Sequence, residues 1–188
     1  MTIKKYLAVF LSACIFGLLC FTIGFDMGSK GDREGRAAII AKASSTEESL
    51  TKWVYSKSTK ISVDTAKQIV KECLKTEKPL LTIALISVES EFVSSAVSNV
   101  GAIGLGQTMF GLHSKELIKA GIVKERRDLF NISNSVKATD LLINRFISES
   151  KGDLSKALER YQGGFNTYYI SRILSNLGSL YILTEGGH

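Results

Sequence analysis

The chain has 188 residues, 45% hydrophobic and 22% charged, enough apolar content for one domain of ordinary size, and it shows no internal repeat or low-complexity tract. Its three cysteines are too few for a disulfide framework, and its formal net charge of +6 favours anionic surroundings such as wall polymers or phospholipid surfaces. Nucleic acid is disfavoured as a partner because no recognised binding motif accompanies the charge.

After Lys4 and Lys5, residues 6–25 contain no charged side chain. About 20 residues of helix is the length a hydrocarbon layer of about 30 Å requires. The run is longer than the apolar core of a cleaved secretory signal, so residues 1–25 are expected to form a retained signal-anchor that spans the membrane once. The basic start argues for an inside N-terminus, although Lys30, Arg33 and Arg36 weaken that orientation signal. Leu11-Ser12-Ala13-Cys14 resembles the signal for an acylated cysteine, but would leave a very short apolar core before it. Residues 26–60 turn polar and read as a tether, partly helical around residues 37–53, that leads into a domain at residues 61–188.

Ala66, Ile69, Val70, Cys73 and Leu74 form an amphipathic stripe, with Cys73 packing as a small hydrophobe. From Pro79, apolar residues at Leu81, Ala84, Leu85, Val88 and Phe92 predict a second helix, with the proline in its first turn. On a helical wheel Glu89 falls between Leu85 and Ile86 at the edge of that stripe, and Glu91 falls on the opposite edge. The wheel prefers Glu89 only slightly. A carboxyl held against apolar surface loses hydration of its charged form, so its pKa rises and it can hold a proton for a leaving group. Both glutamates as solvated surface residues is an equal reading at this point.

Ser94, Ser95 and Ser98 end the periodic pattern, and Gly101, Gly104 and Gly106 follow in a loop that ends at Gln107. Glycines let a chain turn tightly or approach a ligand, and a glutamine amide suits a sugar hydroxyl or acetamido group. A phosphate cradle is a poor reading, since there is neither a Gly-Lys-Ser/Thr ending nor a GxGxxG. Downstream, Asn134 or Ser135 is expected to cap a helix reaching about Ser150, and Asp153 to cap the next, on which Leu154, Ala157, Leu158 and Tyr161 share a face. Gly163 and Gly164 stop that helix, and a last one uses Tyr169, Ile170, Ile173, Leu174 and Leu177. Tyr161, Phe165, Tyr168 and Tyr169 make an aromatic cluster, for which buried packing and stacking on a ligand ring weigh equally. No run of strand period appears, so the fold class is all-α. His113 stands without partners at metal spacing, so neither a zinc site nor any cofactor is expected.

Taken together, Glu89-Ser90-x-Phe92, Ala96-x-Ser98, Gly101-Ala102-x-Gly104-Leu105-x-Gln107, Asp128-Leu129-Phe130-Asn131-Ile132 and Ala157-Leu158-x-x-Tyr161-x-Gly163 resemble, in order, the motifs of the soluble lytic transglycosylase domain. The resemblance covers about residues 65–180 and implies a compact lysozyme-like helical domain of the goose-type kind. It implies that Glu89 is the sole catalytic acid/base, and that Ser90 and Gln107 position it or the substrate. Ser98, Gly104 and Gln162 would also lie along the substrate, and Tyr161 would orient the Glu89 carboxyl. Two positions depart from the family: Gly106 stands where it usually has Met, and Gln162 where it usually has Asn.

The implied reaction cleaves peptidoglycan glycan strands between N-acetylmuramic acid and N-acetylglucosamine and leaves a 1,6-anhydro ring. A protein of this kind would sit in the bacterial inner membrane and face the periplasm, with a secretion, conjugation or phage apparatus as a possible partner. The similarity to phage lysins with weak, releasable anchors rests on Ala8, Ser12, Ala13, Gly17 and Gly24 in the apolar run. A hydrolytic lysozyme with Glu91 or Asp128 as second carboxylate, and a catalytically silent wall-binding or assembly protein, are the alternatives.

Overall fold

The computed structural model of the chain describes residues 30–185. The expected membrane segment, residues 6–25, lies outside them, and among the described residues no helix is long and apolar enough to cross a membrane. The chain divides into two units, one ending at Ser44 and the other beginning at Ser45. Seven α-helices are described: α1 (Lys30–Ser56), α2 (Val63–Cys73), α3 (Pro79–Glu89), α4 (Phe110–Lys119), α5 (Ile132–Glu149), α6 (Leu154–Gln162) and α7 (Thr167–Glu185). A short 3₁₀ turn, Arg126–Phe130, precedes α5. The described residues contain no strand, only isolated bridges of Ile103 with Val97 and Thr108, in keeping with the all-α reading.

In the first unit, residues 37–44 of α1 are exposed. In the second, Leu50 and Val54 near the end of α1 are fully buried in the core. The polar stretch read as a tether therefore contributes apolar side chains to the folded unit. The α2 stripe is as its spacing predicts, with Ala66, Ile69, Val70 and Cys73 buried and Ser62 capping the helix through the Thr65 amide. Burial pushes the Cys73 thiol well above its ordinary pKa, which keeps it inert.

Helix α3 differs from its one-faced prediction. All seven residues from Leu81 to Ser87 are buried, so α3 is a central helix packed against α2, α5 and α7. It also ends earlier than its apolar pattern suggests. Glu89 is its last residue, and Glu91 and Phe92 take left-handed backbone angles, φ 50° and 64°. Such angles cost on the order of 1–3 kcal/mol each in residues with a Cβ. The fully buried Phe92 ring, edge-on to Trp53 at 6.3 Å, offsets this, since burying such a side chain contributes about 1.5–3 kcal/mol.

Local signals set the remaining helices. The cap of α5 is Asn131, whose side chain accepts from the Asn134 amide at 3.2 Å. The expected caps serve elsewhere: Asn134 donates to the Asp128 carbonyl, and Ser135 is buried against the glycine loop. Asp153 caps α6 as its sequence predicts, and Gly163, at φ 85°, closes it. Asn166 then accepts from the Tyr169 amide at 3.1 Å and starts α7, which lies along α3.

Candidate active site

The site forms where the end of α3, the glycine loop, α6 and the first turn of α7 meet. Glu89 occupies the last position of α3, where unsatisfied carbonyls make a carboxylate unwelcome. It is half-buried, and the loss of hydration pushes its pKa up to about 7, against a smaller lowering from the hydrogen bond that the Tyr169 hydroxyl donates to Oε1 at 2.5 Å. No other charged group shifts it resolvably. The group is therefore about half protonated near neutral pH.

The tyrosine bonded to Glu89 is not the one the motif resemblance implies. Tyr161 instead donates to the Gly106 carbonyl at 2.8 Å. It remains a neighbour of Glu89, because burial first and the carboxylate charge second raise its pKa, while the hydroxyls of Thr139 and Thr108 act in the opposite direction. Tyr169 is raised by the same two causes in the same order. Both phenols thus stay protonated donors. Sequence reasoning placed Tyr169 in the aromatic cluster and on the apolar face of the last helix; its hydroxyl was the one signal that it had a polar partner, and nothing local pointed to a residue 80 positions away.

The glycine loop is pinned from below by α5. Ser135 accepts from the Leu105 amide at 2.8 Å, and Gly104, at φ 76°, lies so close that an added Cβ would sit 2.3 Å from the Leu129 carbonyl. Gly106 is more tightly enclosed: a Cβ there would lie 1.9 Å from Thr139 Oγ1 and 2.8 Å from the Tyr161 hydroxyl. The space beside this position is already occupied by Thr139 and Tyr161. That is the physical reason why this chain has glycine at 106.

The other sequence candidates take different places. Gln107, at φ 47°, donates through Nε2 to the carbonyls of Gly104 (3.0 Å) and Ala96 (3.3 Å), so its side-chain oxygen is what it offers a ligand. Ser98 accepts from the Ala102 amide at 3.0 Å and shapes the loop's turn. Ser90 is buried, and its hydroxyl points back to the Ile86 carbonyl at 3.4 Å instead of contacting the Glu89 carboxyl. Gln162 is exposed at the end of α6 and makes no side-chain hydrogen bond with the described residues. The two candidate second carboxylates are engaged elsewhere. Glu91 is exposed and paired with Lys60 at 2.9 Å, which lowers its pKa. Asp128 accepts the amides of Lys124 (2.7 Å) and Glu125 (3.1 Å), which lower its pKa as well.

A desolvated carboxyl at the end of a central helix, bonded by a buried tyrosine, is a group that can hold a proton for donation near neutral pH. The family model for the transglycosylase SLT domain matches residues 68–171, more than half of the chain. The chain belongs to that family, and with it goes lytic-transglycosylase-type activity on peptidoglycan. No curated protein and no solved structure matches the chain.

Proposed function

We propose that this protein is a peptidoglycan lytic transglycosylase in which Glu89 alone serves as acid and then as base. The observation that carries this reading is the placement of Glu89, half-buried at the end of α3 with the Tyr169 hydroxyl on its carboxyl, where burial pushes its pKa up to about 7 against the lowering by Tyr169. In its protonated form Glu89 donates to the oxygen linking N-acetylmuramic acid to N-acetylglucosamine as the C1–O bond breaks, assisted by the muramic acetamido oxygen. The resulting carboxylate then removes the proton from the C6 hydroxyl as O6 closes on C1. Glu89 is thereby reprotonated, and a 1,6-anhydro end remains. A common hydrolytic glycosidase needs a second carboxylate to activate water or to attack the sugar. Glu91 and Asp128 are held by Lys60 and by backbone amides, which counts against that route.

In this reading Tyr169 keeps the Glu89 carboxyl aimed, while Tyr161, Ser98, Gly104 and Gln107 build the loop over the scissile bond, with Ser90 closing the helix end and Gln162 at the rim. Residues 6–25 would hold the domain at the outer face of the bacterial inner membrane, where strands can be opened locally. Digestion of purified sacculi followed by borohydride treatment and mass spectrometry tests the reaction type. Non-reducible anhydro ends from the wild type, and none from Glu89→Gln, are expected. Reducible ends throughout would refute the transglycosylase assignment, and undiminished release by Glu89→Gln would refute the acid.

A further inference from the structure

A polar groove runs between α3 and α7. It encloses about 530 Å³ and is lined by Lys57, Ser87, Glu91, Ser171, Arg172, Ser175 and Asn176. Ser87 and Glu91 flank Glu89 at two residues on either side, and Arg172 follows Tyr169 by one helical turn. The groove thus adjoins the proposed site of bond cleavage in sequence, with Arg172 on the same side of α7 as Tyr169 and Ser87 on the far side of α3 from Glu89.

Its charges are unbalanced. Glu91 is paired with Lys60 at 2.9 Å and also feels the charge of Arg172 from farther off, so the one carboxylate of the lining faces three cations, and neither Lys57 nor Arg172 forms an ion pair within 4 Å among the described residues. Both cations rest on aromatic faces, Lys57 Nζ at 4.9 Å from the Trp53 ring and Arg172 Cζ at 5.8 Å from that of Tyr168. A cation–π contact holds a cation in place while leaving its charge available. Trp53 is itself braced by the buried Phe92, so the Lys57 end of the groove is tied to the core. Asn176 donates to Ser87 at 2.8 Å and keeps its carbonyl oxygen and one N–H free for a ligand amide.

Resting on the peptidoglycan reading above, we infer that this groove binds the peptide attached to the muramic residue, with Arg172 and Lys57 receiving its carboxylates. The volume exceeds what a lone carboxylate needs, and the mixture of cations with an amide that both donates and accepts matches a short acidic peptide. A bare glycan chain offers no anion at regular intervals other than the lactyl carboxylate, which is held close to the sugar ring on a short ether arm. An anionic lipid headgroup would meet a recess between two helices, not a basic face.

The test uses three preparations of the same glycan strands: with peptides intact, with their carboxyls amidated, and with the peptides removed by an amidase so that the lactyl carboxylate is free. Arg172→Gln and Lys57→Gln are surface substitutions at exposed positions, and circular dichroism checks that each variant folds. Each is expected to raise KM on intact strands about threefold at low salt, as for an exposed ion pair, with kcat little changed. The effect should vanish on amidated and on peptide-free strands and fade at about 0.5 M salt. Equal KM values for variants and wild type on intact strands would overturn the inference. So would an effect that persists on peptide-free strands, which would assign the cations to the lactyl group, or a loss of binding to phosphatidylglycerol vesicles with KM unchanged. Binding of the same strands to the full chain carrying Glu89→Gln is measured in parallel. It reports on the groove even if the wild type releases no fragments, so failure of the lytic reading and failure of the groove are distinguishable.

Discussion

Replacing Glu89 by glutamine should make the protein more stable, and by an amount that depends on pH. The carboxyl has a pKa of about 7 in the fold against an ordinary value of 4.5. Below about pH 4.5 both folded and unfolded chains carry the proton, and the position makes no pH-dependent contribution. As pH rises from 4.5 to 7, the unfolded chain ionises first and gains free energy that the folded chain does not. The wild type therefore loses stability across that window, and the loss is complete above pH 7. At about 1.4 kcal/mol per pH unit, the full difference is about 3 kcal/mol, an upper figure because the residue is only half-buried. Glutamine cannot ionise and still offers an oxygen to Tyr169. Urea denaturation of both proteins from pH 4 to 8 should show matching stabilities at the acid end and a Glu89→Gln advantage approaching about 3 kcal/mol at pH 8, or roughly 6–12 °C in Tm. A stability difference that stays constant across this range would refute the claim that burial holds the proton on Glu89. The same titration should appear as a decline in the wild-type kcat/KM centred near pH 7.

Tyr169→Phe removes the hydrogen bond that favours the ionised acid, so Glu89 should titrate higher and the alkaline limb of the pH–rate profile should move upward while the maximal rate falls. Tyr161→Phe should leave that limb nearly in place and instead lower stability by about 1–3 kcal/mol, because the Gly106 carbonyl loses its donor. Gly106→Ala should destabilise by about 1–3 kcal/mol by overpacking against Thr139, and adding Thr139→Ala should recover part of that loss in a double-mutant cycle read by urea denaturation. Ser135→Ala should cost about 1–3 kcal/mol by stranding the Leu105 amide, read in the same assay.

Where a signal was local, the sequence carried it. Asp153 and Gly163 bound α6 as their residue types predict, and the spacing from Ala66 to Cys73 gave the buried face of α2. The wheel position of Glu89, at the edge of apolar neighbours, corresponds to a half-buried carboxyl with a raised pKa. Signals that depend on distant partners were not legible. Phe92 keeps the helical period yet lies past the helix end, because the chain turns left-handed to drive its ring against Trp53. Asn131 and Asn134 are equally good capping residues, and only the preceding 3₁₀ turn, whose Asp128 carbonyl engages Asn134, decides between them. Two tyrosines eight residues apart were available to serve the acid, and the choice rests on Gly106 and Thr139 drawing Tyr161 away.

The enclosure of Gly106 has a bearing on how such a domain can change. Residue 106 arrives from one stretch of chain, Thr139 from α5 and Tyr161 from α6, so a larger side chain at the loop cannot be accepted until two other helices have made room. A lineage that altered these positions one at a time would pass through an unstable intermediate, and motif transplants between relatives should succeed only when all three travel together.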